Sequence, residues 1–256
     1  MSKTTGKTAL ITGASSGIGR ETAVKLAGEG YNVSMTARNK TKLETTNKRF
    51  SAHKNKCLIL PLDLSNKKNI NQCIDDTIDA FGRLDVLVNA AGIIGSGNVE
   101  TTELSDWDYM MNINLRSVFY LMKCAVPHLK KTKGTIINVS SVTGLRAFPN
   151  ILSYCVSKAG VDQLTRCAAL ELAPDSIRVN AINPGVMVTN LHKRSGMNEK
   201  KYKEFLEHSK STHPLGRVGK PEEAAELIAF LVSDKAGWIT GTTISIDGGR
   251  AQTCAR

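Results

Sequence analysis

Short apolar runs alternate with longer amphipathic stretches over most of the chain. The apolar runs predict strands over residues 9–11, 32–37, 57–62, 84–89, 135–139, 177–182 and 242–246. The stretches between them predict helices over residues 20–28, 41–52, 67–81, 106–129, 153–172 and 221–232. Strands that alternate with helices favour a parallel sheet with helices on both faces. Because crossovers between parallel strands are right-handed, the pattern predicts an α/β fold with a doubly wound sheet.

One segment interrupts this alternation. The stretch 186–220, between Pro184-Gly185 and Pro221, is too long for an ordinary connection in an α/β fold, and it predicts a functional excursion or lid. Within it, Tyr202, Phe205 and Leu206 fall at the i, i+3, i+4 spacing of a short amphipathic helix. That apolar stripe is compatible both with packing the helix down and with contact to a substrate.

The first predicted strand runs directly into a glycine turn, Thr12 to Gly19, followed by a helix. Strand, glycine turn and helix in this order present free backbone N–H groups and a helix N-terminus, which together can hold an anion. The spacing G-x-x-x-G-x-G departs from the common G-x-G-x-x-G form, and glycine turns also serve as simple tight connections. Its place after the first strand and before a second favours dinucleotide binding, and hence a single-domain Rossmann fold over residues 1–256.

Composition narrows the classes of function. The chain has 256 residues, 41% of them hydrophobic, and a net charge of +11. Its basic residues are scattered, with no arginine-rich arm, so we expect no nucleic-acid partner. The N-terminus lacks an apolar signal region, no stretch has the ~18 apolar residues of a membrane span, and the last residues do not match a peroxisomal Ser-Lys-Leu tripeptide. These features predict a cytoplasmic protein without a membrane partner.

Six cysteines occur without any C-x-x-C pair, mostly inside apolar runs. They predict buried thiols in a reducing compartment, without a disulfide framework and without a metal site. The set is Cys57, Cys73, Cys124, Cys155, Cys167 and Cys254.

Tyr154 and Lys158 are four residues apart in a predicted helix, so their side chains share one face. A nearby ammonium favours the phenolate, so we expect the pKa of Tyr154 to fall from about 10 toward the working range of an acid–base catalyst. A solvent-exposed Tyr and Lys would show the same spacing. Asn89, Ser141 and Pro184-Gly185, however, each follow or end a predicted strand, which places them at the edge of the sheet where ligands bind. This convergence favours a catalytic site.

The motifs taken together resemble those of the short-chain dehydrogenase/reductase superfamily, essentially from end to end. They are Thr12 to Gly19, Asn89-Ala90-Ala91-Gly92, Asn114, Ser141, Tyr154 with Lys158, and Pro184-Gly185 through Thr189. The resemblance implies hydride transfer between a nicotinamide cofactor and a carbonyl or alcohol. Within the family, the pattern is similar to 3-oxoacyl-carrier-protein reductases and to tropinone-reductase-like and other carbonyl reductases.

The resemblance also implies roles for individual residues. Tyr154 would be the general acid in reduction, Ser141 would orient the reacting oxygen, Lys158 would tune Tyr154 and hold the nicotinamide ribose, and Asn114 would help a water connect Lys158 to solvent. Asp63 would meet the adenine and Thr189 the nicotinamide amide. Ala90 stands where the family often has a second asparagine, which we interpret as a tolerated variant. The implied cofactor-binding set is Gly13, Ser15, Ser16, Gly17, Ile18, Gly19, Arg38, Asp63, Leu64, Asn89, Ala90, Gly92, Tyr154, Lys158, Pro184, Gly185, Val188 and Thr189.

The choice between the two nicotinamide cofactors depends on the end of the second predicted strand, Thr36-Ala37-Arg38. An acidic residue here usually selects NAD(H) through the ribose hydroxyls, but this chain has an arginine instead. Arginine can pair with a 2′-phosphate, so the sequence predicts NADP(H) over NAD(H). Stacking of Arg38 on adenine, or exposure of Arg38 to solvent, remains the alternative.

We therefore expect an NADP-dependent reductase of a ketone or 3-oxoacyl substrate. The alternatives are a catalytically silent cofactor-binding scaffold or regulator and an NAD(P)-dependent alcohol or steroid dehydrogenase. The resemblance implies a homotetramer or homodimer formed through the helices at 106–129 and 153–172.

The charges of the 186–220 segment give a mild bias toward an anionic or phosphopantetheine-bearing substrate, although a solvated helix face explains them equally well. Leu170 precedes Glu171 where the acyl-carrier branch often has a basic residue, which argues against an acyl-carrier substrate. The charges are Lys193, Arg194, Lys200, Lys201, Lys203 and Lys210 against Glu199, Glu204 and Glu207.

Overall fold

The computed structural model describes residues 6–50 and 56–253. Its sheet has seven strands in the order β3-β2-β1-β4-β5-β6-β7, and every neighbouring pair is parallel. The strands are β1 Thr8–Thr12, β2 Asn32–Thr36, β3 Cys57–Leu60, β4 Val86–Asn89, β5 Thr135–Val139, β6 Arg178–Pro184 and β7 Thr243–Ile246. The predicted fold class, an α/β Rossmann fold with a doubly wound parallel sheet, is confirmed.

Ten α-helices connect these strands within the described residues. They are α1 Gly17–Gly28, α2 Lys40–Lys48, α3 Lys67–Phe81, α4 Leu104–Met111, α5 Ser117–Thr132, α6 Val142–Leu145, α7 Leu152–Leu172, α8 Leu191–Arg194, α9 Glu199–Thr212 and α10 Pro221–Val232. Short 3₁₀ turns lie at Ala173–Asp175, Asp234–Ala236 and Arg250–Gln252.

The helices cover both faces of the sheet, which explains why the central strands are largely apolar, with their buried asparagines near the carboxyl edge or in hydrogen bonds. One core, with Ala23, Leu26 and Ile228, lies where α1 and α10 pack on the sheet. The other core, with Ile74 and Leu121, lies under α3 and α5 on the opposite face. A strand buried on both sides cannot alternate apolar and polar residues, so its apolar run is continuous.

The helix predicted over 20–28 begins earlier, at Gly17, and two other predicted helices differ more from the observed ones. The helix predicted over 106–129 begins at Leu104, ends at Thr132 and contains a π-helical turn, Asn112–Arg116, between α4 and α5. Apolar periodicity does not report a single π turn, because the turn shifts the register without changing the residue types. The helix predicted over 41–52 is α2, which ends at Lys48, and residues 51 and 52 lie outside the described residues.

The prediction of buried thiols is wrong for most of the cysteines. Cys73 is buried, three others are half-buried and Cys167 is exposed, because amphipathic elements turn one side of an apolar run toward solvent. Cys254 lies outside the described residues. Within the described ranges no group of histidine, cysteine and acidic side chains could hold a metal, and no helix is long and apolar enough to cross a membrane.

The strand order sets the position of the functional cavity. The chain continues from β1 outward to β2 and β3, and then returns to place β4 on the other side of β1. At such a reversal, the connections that leave the carboxyl ends of two neighbouring strands diverge to opposite faces and open a crevice. The glycine turn leaves β1 and residues 90–92 leave β4, so both lie at this crevice.

Candidate active site

A cavity of about 780 Å³ follows the carboxyl edge of the sheet, a volume suited to a ligand of cofactor size. Its lining follows the strand order: Arg38 after β2, the glycine turn after β1, Ala90 after β4, Ser141 after β5 and Gly185 after β6. Most of the residues predicted for the site line this cavity. They are Gly13, Ser15, Ser16, Gly17, Ile18, Gly19, Arg38, Asp63, Leu64, Ala90, Gly92, Ser141, Tyr154, Lys158, Pro184, Gly185 and Thr189.

The glycine turn brings backbone close to backbone. Gly13 has a φ of +68°, and a Cβ on it would lie 2.8 Å from the carbonyl oxygen of Ala90. A Cβ on Gly19 would lie 2.7 Å from the Gly13 oxygen, so a side chain would force the turn and α1 apart. The N-cap residue of α1, Ser16, makes no side-chain capping bond. The turn thus presents backbone N–H groups and a helix N-terminus to the cavity, an arrangement that suits a phosphate.

Cations surround this part of the cavity. Arg38, Lys42 and Arg194 line it, and Arg194 Nη2 donates to Ser16 Oγ at 2.8 Å. Burial, followed by the charge of Arg38, lowers the pKa of Arg194, which shows that the two guanidinium groups interact. Asp63 also lines the cavity, where its carboxylate accepts a hydrogen bond from the Ser65 N–H at 3.0 Å. We call the turn Gly13 to Gly19, together with Arg38, Lys42 and Arg194, the glycine end.

Tyr154 and Lys158 lie in the first turns of α7, and both side chains are buried. Lys158 Nζ is 5.7 Å from the centroid of the Tyr154 ring and donates to the Val139 carbonyl oxygen at 2.8 Å. Since β5 ends at Val139, this bond fixes the ammonium at the end of the strand that leads to Ser141. The predicted shared face of the two side chains is confirmed.

The predicted fall in the pKa of Tyr154 is wrong for this arrangement. Burial raises the pKa of Tyr154 to about 12, while a hydrogen bond with Ser141 acts in the opposite direction. Burial also lowers the pKa of Lys158 to about 8, against the charge of Asp162. Desolvation of the charged form is thus the largest influence on both groups. At neutral pH the phenol is protonated, and it can donate a proton.

Ser141 is held from two sides. It is the N-cap residue of α6, where its Oγ accepts from the Thr143 N–H at 3.2 Å. Asn183 Nδ2 donates to the Ser141 carbonyl oxygen at 2.9 Å and also to the buried carboxylate of Asp162. This network fixes the backbone that carries the Ser141 hydroxyl into the cavity.

Asn114 is fully buried in the π turn and does not line the cavity. Its amide exchanges two hydrogen bonds of 2.9 Å with the backbone of Ile93. A Cβ on Gly92 would lie 3.3 Å from Asn114 Oδ1 and 3.5 Å from Lys158 Nζ, so both groups border Gly92 closely. The π turn thus aims Asn114 at the loop after β4, close to the Lys158 ammonium.

Two other predicted residues also lie outside the cavity. Asn89 is buried beneath it, where its Nδ2 donates to Asn138 Oδ1 at 2.9 Å. Val188 is exposed and lines a shallow neighbouring depression together with Lys193 and Tyr202. Asn89 can therefore support the floor of the site, whereas Val188 does not face it in this structure.

Other side chains of the cavity wall come from separate segments of the chain. We call five of them the Phe148 end, after the contact between Phe148 and Arg250: Phe148, Ile151, Met187, Phe205 and Arg250. The only sequence signal among these was the apolar stripe of α9, which contains Phe205. Within the same stripe, Tyr202 packs the helix down by donating to the Thr189 carbonyl oxygen at 2.7 Å. The stripe thus both anchors α9 and contributes to the cavity wall.

A sequence model of the family described as enoyl-(acyl carrier protein) reductase matches residues 13–251. Over 245 residues, the chain is 40% identical to the 3-oxoacyl-[acyl-carrier-protein] reductase FabG of Thermotoga maritima, a match that covers 95% of this chain and 97% of that one. The chain belongs to the short-chain dehydrogenase/reductase superfamily. Within it, this short-chain dehydrogenase/reductase lies in the branch similar to FabG, and it is accordingly an oxidoreductase.

Solved structures of the superfamily agree with this placement. A short-chain dehydrogenase/reductase of unknown function from Caenorhabditis elegans, solved with cofactor, is 35% identical with a TM-score of 0.94, and the match covers 98% of this chain and 97% of that one. The aldohexose dehydrogenase of Thermoplasma acidophilum is 30% identical with a TM-score of 0.87, covering 100% and 98%. The fold is therefore shared by members whose names indicate different substrates, so the substrate has to be argued from the side chains at this site.

Proposed function

We propose that this enzyme is an NADP-dependent reductase that converts the carbonyl of a ketone or 3-oxoacyl substrate into an alcohol. The observation that carries the proposal is the meeting of Ser141, Tyr154 and Lys158 in the same cavity as the glycine turn and Arg38. One part of this cavity suits a phosphorylated dinucleotide, and another part supplies proton donors for a developing alkoxide.

The residues at the glycine end fit NADP(H) better than NAD(H). The lack of a Cβ at Gly13 and Gly19 lets the turn pack closely on backbone, and the N–H groups of the turn and of the N-terminus of α1 then suit a pyrophosphate. Arg38 and Lys42 would hold the 2′-phosphate, and Asp63 with Leu64 would border the adenine. Beyond the turn, Asn89 would support the floor, and Gly92, Pro184, Gly185 and Thr189 would surround the nicotinamide. When bound, NADPH supplies the hydride.

Side chains of the protein donate the proton and replace it. Tyr154 donates its phenolic proton to the carbonyl oxygen while the carbon gains a hydride, so that C=O becomes CH–OH and the cofactor is oxidised. Ser141 donates a hydrogen bond to the same oxygen and orients it. Lys158 holds the ribose hydroxyls and stabilises the phenolate left behind. Asn114, close to Lys158, would help a water return the proton from solvent.

Two alternatives predict different behaviour. A silent scaffold would bind the cofactor without turnover, but Ser141, Tyr154 and Lys158 all reach the cavity, as an active enzyme requires. A dehydrogenase of alcohols or steroids would use Tyr154 in the reverse sense, as the base that takes the proton of the alcohol, so it would oxidise an alcohol with NAD(P)⁺ faster than it reduces any carbonyl of the panel.

NADPH oxidation with a panel of ketones and 3-oxoacyl thioesters tests the proposal. We expect turnover with NADPH, and turnover lower by about tenfold or more with NADH, since one charge-assisted contact to the 2′-phosphate is worth about 1.5–3 kcal/mol. Tight NADPH binding without turnover of any carbonyl would favour the scaffold. Equal rates with both cofactors would contradict the role of Arg38.

We also propose a lid, a single-domain organisation, a cytoplasmic location and an oligomeric state. The 186–220 segment acts as a lid over the Phe148 end, within a single domain that spans 1–256. The protein is cytoplasmic and forms a homotetramer or homodimer through α4–α5 and α7, where Phe119 and Leu170 are exposed apolar side chains. Light scattering would show a monomer if the oligomer proposal is wrong.

A further inference from the structure

Arg250 lies just beyond β7, at the end of the cavity farthest from Arg38. Five strand spacings of about 4.8 Å separate β2 from β7, so roughly 24 Å lie between the strand ends that carry the two arginines. Only two spacings, about 10 Å, separate β7 from β5, which leads to Ser141. Arg250 is therefore within reach of a small molecule whose carbonyl is at Ser141, and it is remote from the 2′-phosphate site.

The Arg250 guanidinium is oriented by its neighbours without forming an ion pair within the described residues. Its carbon lies 5.2 Å from the centroid of the Phe148 ring, and its Nη1 donates to the Thr212 carbonyl oxygen at 3.0 Å. An aromatic face on one side and a carbonyl on one edge leave the other N–H groups of the guanidinium available. Since both Phe148 and Arg250 line the cavity, these N–H groups can meet a ligand there.

The nearby carboxylate of Asp247 is committed elsewhere. Its Oδ1 accepts from the Gly249 N–H at 3.0 Å and its Oδ2 accepts from the Ala251 N–H at 2.6 Å. Arg146 adds a second positive charge, and its guanidinium is bound to the carbonyl oxygens of Ala251 and Thr253. Within residues 6–50 and 56–253, neither arginine forms an ion pair with a carboxylate.

Two neighbouring cations that form no ion pair with a carboxylate among the described residues, one of them lining the cavity, favour an anionic ligand. Burial and then the charge of Arg146 lower the pKa of Arg250, and the charge of Asp247 opposes them only in part. A carboxylate matches a guanidinium fork with two parallel hydrogen bonds. Ile151, Met187 and Phe205 line the same end and suit a short aliphatic chain.

We propose that the carbonyl substrate is an oxo acid whose carboxylate binds Arg250 against the Phe148 ring. This inference rests on the proposed reductase activity and narrows its substrate class. It separates small oxo acids from 3-oxoacyl thioesters, which carry no charge next to the reacting carbonyl.

A series of matched acids and methyl esters tests the inference. The probes are 3-oxobutanoate, 4-oxopentanoate and 5-oxohexanoate, each with its methyl ester, and the readout is the ratio of kcat/KM for acid over ester. We expect the wild type to prefer the acid by about tenfold or more at one chain length at least, because charge-assisted hydrogen bonds contribute about 1.5–3 kcal/mol. Arg250→Gln should lower that ratio by about 10- to 100-fold.

Two further variants guard against a merely structural effect. Arg250→Lys keeps the charge and loses the fork, so its ratio should lie between those of the wild type and Arg250→Gln. Arg166→Gln is the matched control, because Arg166 is exposed on α7, does not line the cavity, and donates to Gln163 and Thr243. Its ratio should equal that of the wild type. An acid-over-ester ratio that Arg250→Gln leaves unchanged, or a wild type that prefers every ester, would overturn the inference.

A binding measurement separates this inference from the reductase proposal. If neither acids nor esters were reduced, the reductase proposal would fail. Binding of 4-oxopentanoate to the NADP⁺ complex, followed by the shift in thermal unfolding temperature, would still test Arg250. A shift in the wild type that Arg250→Gln removes supports the carboxylate site. An equal shift in both, or none in either, contradicts it.

Discussion

At the glycine end, backbone groups from one continuous stretch, Gly13 to Gly19, face the cavity, and the side chains of Arg38, Lys42 and Arg194 surround them. At the Phe148 end, the walls are side chains from three segments: residues 148–151, the 186–220 segment and the 3₁₀ turn after β7. The first arrangement tolerates almost no change, because backbone packs on backbone. The second can vary residue by residue. A common cofactor site and a specific substrate site can thus share one sheet edge.

Substitution of Gly19 should break the glycine end most severely. In Gly19→Ala the new Cβ would lie 2.7 Å from the Gly13 oxygen and 2.8 Å from the Thr12 oxygen, so the turn must move. We expect NADPH affinity to fall by about 100-fold or more and stability by about 1–3 kcal/mol, measured by fluorescence titration and urea unfolding. Gly82→Ala is the control, because its φ of +72° is strained but no atom lies within 4 Å of the added Cβ. Gly82→Ala should lower the stability and leave the NADPH affinity unchanged. A Gly19→Ala variant that binds NADPH as tightly as the wild type would contradict this account.

Arg38→Asp should exchange the cofactor preference while the Phe148 end stays intact. The carboxylate repels a 2′-phosphate and can bond ribose hydroxyls instead. We expect the ratio of kcat/KM for NADPH over NADH to fall by about 100-fold, with the order of preference among carbonyl substrates retained. An unchanged preference for NADPH would mean that Lys42 and Arg194 select the phosphate without Arg38.

Lys158 belongs to neither end, and its burial should cost stability. Its pKa, lowered from 10.5 to about 8, corresponds to a penalty of about 3 kcal/mol below pH 8. The hydrogen bond to Val139 offsets about 1 kcal/mol of this. Lys158→Met should therefore be inactive yet more stable at pH 7 by about 1–2 kcal/mol.

The stability difference between the wild type and Lys158→Met should depend on pH. Between pH 8 and 10.5 the unfolded chain holds a proton on Lys158 that the folded chain has lost, so wild-type stability rises with pH in this window. The advantage of Lys158→Met should narrow from pH 7 to pH 9 in thermal unfolding. A variant less stable than the wild type at pH 7 would show that the pKa shift is not a stability cost.

His213 offers the mildest perturbation of the Phe148 end. Its Nε2 accepts from the Val186 N–H at 3.1 Å and its Nδ1 donates to the Ser209 carbonyl oxygen at 2.6 Å, so it joins both ends of the 186–220 segment. We expect His213→Gln to raise KM for the carbonyl about three- to tenfold and leave the Kd of NADPH within about twofold, since one neutral hydrogen bond is worth about 1 kcal/mol. His208→Gln, at an exposed position on α9, which ends directly before His213, is the control. If His213→Gln weakened the binding of the carbonyl substrate and of NADPH equally, His213 would not act on the Phe148 end alone.

The same contrast explains what the sequence could predict. The strand–turn–helix unit at Gly13 to Gly19 and the Tyr154–Lys158 spacing are local patterns, so the sequence alone predicts both. Arg194, Phe148 and Arg250 were not predicted for the site, because only tertiary packing brings their segments together. The π turn that positions Asn114 leaves no mark on apolar periodicity. The direction of the Tyr154 pKa shift was wrong, because burial depends on the surrounding fold.

The central claim is that the glycine end holds NADPH independently of the proton donor, and that Tyr154 supplies the proton. Tyr154→Phe removes one hydroxyl from a buried side chain, so both parts can be measured in one preparation. We predict a Kd for NADPH within about threefold of the wild type and a loss of carbonyl reduction of about 10²–10⁴-fold, the range expected for a general acid. Near-normal reduction by Tyr154→Phe would contradict the account.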